Sequence, residues 1–304
     1  MLYGLKDRIS RARFAAQCSA VLRSSPIALD PSSELALLSQ LQHKDVLMYL
    51  LAVKSFATHI KPRAVFVLND GSLDTGDGQV IHEHIPGVTL LELPSFQSAA
   101  CPTGGCWERL LAIASLVNDF YVIQLDSDTL TVGPIAEVRN CVAQQTAFAL
   151  GTWDNQDFET MRERAETAAK LKPTANAHVQ VVAEANLDKL DDFRSLRYVR
   201  GCAGFAGFAR GSFTRGFVED VSSQMRKTLA DKWAEWGSEQ VMSNVVVANA
   251  PKAVVLPHPK YADCHKMREG QTEFIHFIGS CRFDRNLYAR LGQEVIRSLQ
   301  RNGP

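Results

Sequence analysis

The segment that most constrains this chain is Tyr121-Val122-Ile123-Gln124-Leu125, a near-continuous β-prone run that ends directly in Asp126-Ser127-Asp128. A strand with almost no polar alternation is covered on both faces, as strands at the centre of parallel sheets are. Further strands are predicted at Leu35 to Leu41, Ala64 to Leu68, Val88 to Leu93, Thr146 to Leu150, Phe205 to Ala209, Ala253 to Leu256 and Phe274 to Ile278. Helices are predicted at Asp45 to Phe56, Trp107 to Val117, Ser238 to Ala248 and Asp284 to Gln300. This alternation gives an α/β fold class, a mostly parallel sheet flanked by helices, with its ligand crevice at the carboxyl ends of the strands.

Composition excludes several classes. The chain has 304 residues, 46% of them hydrophobic and 22% charged, and a globule of this length buries roughly 75% of its unfolded surface. Neither a disordered chain nor a disulfide-stapled miniprotein fits. Lys+Arg and Asp+Glu both number 33, so no whole-protein field attracts nucleic acid, and no nucleic-acid partner is expected. The longest apolar run, Val46 to Val53, is far shorter than the ~20 residues of a membrane span. Residues 1–30 form a basic helical leader without the apolar core of a secretory signal. Its Arg8, Arg11, Arg13 and Arg23 either meet anionic lipid, a peripheral membrane contact, or are simply solvated. Residues 31–304 make the main domain, with a helical insertion at about 157–191, rich in Ala, Glu, Lys and Arg and broken at Lys172-Pro173. Seven cysteines, an odd number without paired CxxC motifs, suit reduced thiols and a cytoplasmic location. Cys264 beside His265 is a weak metal signal.

Asp126 and Asp128 leave the buried strand together. Hard carboxylate oxygens at a strand's carboxyl end suit a divalent cation bound by diphosphate, although such a pair also occurs in solvated turns. Far along the chain, His276-Phe277-Ile278-Gly279-Ser280-Cys281-Arg282 supplies an imidazole after a β-prone run, then a glycine, then a cation. These are a metal ligand, a point of close backbone approach and a counter-charge.

The two motifs together resemble the DxD-containing GT-A nucleotide-sugar glycosyltransferases, most closely glycosyltransferase family 8, over roughly Leu35 to Phe283. The resemblance implies a Rossmann-like GT-A fold and makes Asp126, Asp128 and His276 the ligands of Mn2+ or Mg2+. Gly279 would admit the diphosphate, and Arg282 stands where the family's lysine neutralises it. Arginine keeps that charge but binds phosphate bidentately. The family's following Pro-Trp is replaced by Phe283-Asp284. Arg109, in Trp107-Glu108-Arg109-Leu110-Leu111, resembles the family's donor-contacting arginine, or else snorkels from its helix. Glu239 and Gln240 match the first two places of the family's Asp-Gln-Asp-x-x-Asn, with Val241 breaking the third. That match makes Gln240 the residue beneath the reacting sugar carbon and Glu239 its neighbour on the hydroxyls. Gly204, beside Cys202 where the family carries Asn, either admits the sugar or marks a bent strand. Asp70, in Asn69-Asp70-Gly71-Ser72, faces the nucleotide or forms a plain turn, and Asp154 after Trp153 is a candidate contact to donor sugar or acceptor.

The expectation is a metal-dependent enzyme that moves a sugar from a UDP-linked donor, with retention, to a glycan, lipid or protein acceptor. Two alternatives stand beside it: an inverting glycosyl or nucleotidyl transferase on the same fold, with Glu239 as base, and a sugar-nucleotide-binding protein without turnover.

Overall fold

A computed structural model describes residues 2–174 and 176–301. The strands are β1 (Leu35–Leu41), β2 (Ala64–Asn69), β3 (Thr89–Glu92), β4 (Tyr121–Leu125), β5 (Thr129–Thr131), β6 (Ala147–Leu150), β7 (Glu159–Thr160), β8 (Arg197–Tyr198), β9 (Cys202–Phe208), β10 (Ala253–Val255), β11 (Tyr261–Asp263) and β12 (Phe274–His276). The helices are α1 (Leu2–Cys18), α2 (Val46–Ala57), α3 (Thr75–His84), α4 (Trp107–Leu116), α5 (Ala136–Ala143), α6 (Met161–Ala169), α7 (Val179–Glu184), α8 (Arg215–Leu229), α9 (Ser238–Ala248) and α10 (Leu287–Arg301). Seven strands form one sheet in the order β10-β6-β9-β4-β1-β2-β3. The α/β class is therefore present, and all five residues of β4 are buried, as its apolar run demands.

The chain divides into two units. The first holds the segments up to Leu91, Leu125–Ala136 and from Pro259 onward. In it β1 and β2 pair in parallel from Ala36 opposite Ala64 to Leu41 opposite Asn69. A three-stranded sheet β11-β12-β5 lies in the same unit. Helix α2 is almost wholly buried and packs on β5. Helix α1 is part of this unit too. Its Phe14 and Cys18 are buried, Phe14 lies 4.5 Å from the Tyr288 ring of α10, and Arg11 pairs with Asp7 at 2.8 Å and with Asp45. No described helix is long and apolar enough to cross a membrane.

The second unit comprises Glu92–Gln124 and Glu137–His258. Here β6 pairs in parallel with β10 and antiparallel with β9, and α9 packs on β9 and β6. Gly207 has no room for a side chain, because a Cβ would fall 2.2 Å from the Phe148 ring. The insertion predicted from composition contains α6 and α7, and β7 closes antiparallel on β8. Helix α6 starts at a capping box, Thr160 with Glu163, which satisfies donors at its N-terminus.

Candidate metal and donor site

The first unit builds its site where β4 stops. Ser39 Oγ on β1 donates to the Leu125 carbonyl at 2.5 Å, and the chain then turns so that Thr129 Oγ1 donates to the Asp126 carbonyl at 2.8 Å. Strand β5 continues and pairs antiparallel with β12, setting His276 opposite Thr129. Phe277 N donates to the Asp128 carbonyl at 2.8 Å. This register places the His276 imidazole against both carboxylates, with Nε2 3.2 Å from Asp128 Oδ1 and 4.0 Å from Asp126 Oδ2. One ligand atom from each of Asp126, Asp128 and His276 lies within 4.8 Å of the others. Octahedral ligation at ~2.1 Å separates neighbouring ligand atoms by about 3 Å and opposite ones by about 4.2 Å, so the group is close to a cation's shell.

Arg282 completes the charge balance. Its Nη2 pairs with Asp128 Oδ2 and its Nε donates to the Phe277 carbonyl at 3.2 Å. Burial alone would raise the Asp128 carboxyl, but the His276 charge and hydrogen bond, with the Arg282 charge, outweigh it and hold the group down at about 2. The residue is therefore an anion ready to ligate at any physiological pH.

The loop that carries Arg282 is pinned on both sides. Tyr288 stacks on Phe277 with centroids 4.1 Å apart, and its hydroxyl donates to the Ser127 carbonyl at 3.4 Å. Burial raises the Tyr288 phenol well above its ordinary range, so it stays a neutral donor. Cys264 and Cys281 form a disulfide. The expectation of seven reduced thiols is thus corrected at these two positions. Strand β11 pairs in parallel with β12, Cys264 N donates to the His276 carbonyl at 3.0 Å, and both cysteines come to one end of the pair. Cys264 is consequently no metal ligand here, and His265 Nε2 instead meets Ser280 Oγ at 2.8 Å. A Cβ at Gly279 would meet nothing within 4 Å, so the position faces open space. Asp70 lies in a tight turn, its Oδ1 accepting from Ser72 N at 2.9 Å and from Ser72 Oγ at 2.6 Å.

The second unit holds the other candidates. Arg109 on α4 is buried and directs Nη2 at Glu239 of α9, 3.3 Å from Oε1 and 3.2 Å from Oε2. The Trp107 indole donates to Ser238 Oγ at 2.9 Å, fixing α4 against the start of α9. Gln240 Nε2 donates to Gln180 Oε1 at 3.3 Å. Asp154 Oδ1 meets His258 Nδ1 at 2.5 Å, and Gly204 is buried within β9. Sequence reasoning missed most of the polar group behind Gln240, namely Gln180 and Glu184 on α7, Tyr198 and Arg200, which Asn244 at the end of the Glu239–Asn244 motif segment joins. The four-residue spacing of Gln180 and Glu184 on one helix face was its available signal. It also missed His43, Asp74 and Asp77, whose ligand atoms cluster within 4.8 Å while the two carboxylates cap α3.

No family model matches the chain, and no curated protein matches its sequence. Solved structures to which it is similar include the WbbM bifunctional glycosyltransferase, at 14% identity and TM-score 0.48, covering 91% of this chain and 51% of that one. The S. cerevisiae mannosyltransferase Ktr4p is 10% identical, TM-score 0.43, over 81% of this chain and 78% of its own. The galactosyltransferase LgtC, solved with donor and acceptor sugar analogs, is 11% identical, TM-score 0.41, over 86% and 95%. The chain spans about half the length of WbbM.

Proposed function

We propose that this chain is a divalent-metal-dependent GT-A glycosyltransferase that takes its sugar from a nucleoside diphosphate, UDP-linked, and transfers it with retention. One observation carries the reading: Asp126, Asp128 and His276 converge beyond a strand buried on both faces, with a guanidinium in the same cluster. Two carboxylates and an imidazole fit Mn2+ or Mg2+ by chemistry and spacing, with Asp128 held in its ionised, ligating form. When bound, such an ion lends Lewis-acid charge to a departing diphosphate.

The chain's own residues supply the rest. Arg282 uses Nη2 on Asp128 and Nε on Phe277, which leaves Nη1 for a diphosphate oxygen. Gln240 is assigned to the reacting sugar. An amide is no base at neutral pH, so it acts through its carbonyl dipole on the positive charge that grows at the anomeric carbon. The departing diphosphate then accepts the acceptor's proton on the same face, which retains configuration. Glu239, held by Arg109, is assigned to the sugar hydroxyls.

The test is release of UDP from a panel of UDP-sugars with Mn2+, with chelator, and in Asp128→Ala. Metal-dependent release that the variant abolishes, with an anomeric coupling in the product that matches the donor, supports the proposal. Full release in chelator sinks the metal assignment. An inverted product, with Glu239→Gln costing far more rate than Gln240→Ala, selects the inverting alternative, and tight UDP binding without release selects a binding protein.

A further inference from the structure

Behind Gln240 lies a buried polar chain that runs in one direction only. Glu184, at the end of α7, has no solvent exposure. Burial pushes its carboxyl upward, and the charges of Arg200 and Arg164 oppose that shift. Its Oε2 pairs with Arg200 Nη1, while Oε1 accepts from Tyr198 Oη at 3.0 Å and from Gln180 Nε2 at 3.1 Å. Asn244, one turn beyond Gln240 on α9, gives Nδ2 to the Gly201 carbonyl at 3.2 Å and to Tyr198 Oη at 3.3 Å. The Tyr198 proton is thereby committed to Glu184.

A carboxylate can only accept hydrogen bonds. Facing Glu184, Gln180 must therefore turn its NH2 toward the carboxylate, which leaves its carbonyl oxygen toward Gln240. That oxygen can only accept in turn, so Gln240 must present its NH2, as it does at 3.3 Å. The opposite sense would set two carbonyl oxygens face to face in a partly buried space, leaving both unsatisfied. Gln240 Oε1 is then the end of the amide that takes no hydrogen bond from the described residues. We propose that Glu184 is a positioning residue which, through Gln180, fixes the sense of the Gln240 amide so that its carbonyl rather than its NH2 is offered to the cationic sugar carbon. This rests on the assignment of Gln240 in the proposed function. A reversed amide would present partial positive charge to a developing cation and oppose the reaction instead of assisting it.

The experiment uses the full chain and three variants. Glu184→Gln replaces an obligate acceptor with a group that donates or accepts. Gln180→Met cuts the relay while leaving Glu184 with Arg200 and Tyr198. The swap Glu184→Gln with Gln180→Glu moves the carboxylate one step nearer, where it again accepts from Gln240 Nε2. The first readout is hydrogen exchange of the Gln240 side-chain amide by 15N NMR, assigned with Gln240→Ala, and it needs no substrate. Protection present in the wild type, lost by about tenfold in the two single variants and regained in the swap, is the expected pattern, as losing one hydrogen bond predicts. The second readout is UDP release from UDP-sugars with Mn2+. There kcat should fall about tenfold in the single variants with KM little changed, and return in the swap. Unchanged Gln240 protection in both single variants overturns the relay. So does a kcat, per folded molecule, that the swap fails to restore although protection returns. Absence of wild-type turnover contradicts the proposed function, and the exchange data then decide the relay alone. If Glu184→Gln does not fold, Gln180→Met carries both readouts.

Discussion

Arg282→Ala should move two affinities in opposite directions. The guanidinium touches Asp128, so a divalent ion on that carboxylate lies about 6 Å from a positive charge, and the two repel by roughly 1.4 kcal/mol even at the dielectric of water. Removing Arg282 should therefore tighten binding of Mn2+ alone by about tenfold. Diphosphate, by contrast, loses a charge-assisted hydrogen bond worth about 1.5 to 3 kcal/mol, or roughly 10- to 150-fold in UDP affinity at saturating Mn2+. Arg282→Lys should recover part of the UDP affinity, because the charge returns without the planar fork. Calorimetric titration of Mn2+, then of UDP into the Mn2+-loaded protein, reads both, and uridine serves as the control ligand. If Arg282→Ala weakens Mn2+, UDP and uridine alike, the residue is structural and the assignment to diphosphate is wrong.

The Arg109–Glu239 pair has side chains only 5% and 4% exposed. Arg109→Ala should cost about 3 to 5 kcal/mol in urea unfolding, and Arg109→Met with Glu239→Leu should recover most of it, because removing one partner of a buried ion pair costs more than replacing both with apolar side chains. Reducing Cys264–Cys281, which are 17 residues apart, should cost about 3 kcal/mol, read as the shift of the urea curve on adding reductant, with no shift in Cys264→Ser/Cys281→Ser. In metal-free protein the Asp128 carboxyl falls from its ordinary 3.8 to about 2. Its stabilisation, about 2 kcal/mol, is present above pH ~4 and lost as pH falls toward 2. The stability gap between wild type and Asp128→Asn should accordingly shrink by about 1 kcal/mol between pH 6 and pH 3.

How much of this was legible depended on whether the signal was local. Strand β4 was readable because a near-continuous β-prone run leaves few alternatives, and α9 starts and ends where predicted, at Ser238 and Ala248. Helix α8 carries a pattern of its own, with Val218, Val221, Ser222 and Met225 buried along one face, and lies outside the elements predicted from sequence. Helix α3 was harder. Its sequence holds Gly76 and Gly78 and little apolar periodicity, and its start is set by the Asp74–Asp77 capping box. Strand β12 was predicted to run to Ile278 but stops at His276, because Ile278 N bonds back to the His276 carbonyl at 3.0 Å. The approach of His276 to Asp128 depends on the β5–β12 register, which three-residue strands do not advertise. The Cys264–Cys281 bond and the Glu184 network likewise follow from tertiary pairing, for which spacing alone offers no rule.

The proposed cation site is made by Asp126, Asp128 and His276 together and holds one ion per chain. Electron paramagnetic resonance of added Mn2+ tests it directly by counting ions that lose their free aqueous signal. The wild type should bind one ion per chain, and Asp126→Asn, Asp128→Asn and His276→Ala, each folded by circular dichroism, should leave Mn2+ free at the same concentrations. Equal binding in all four proteins, or none in the wild type with UDP present, would rule out a cation site at these three residues.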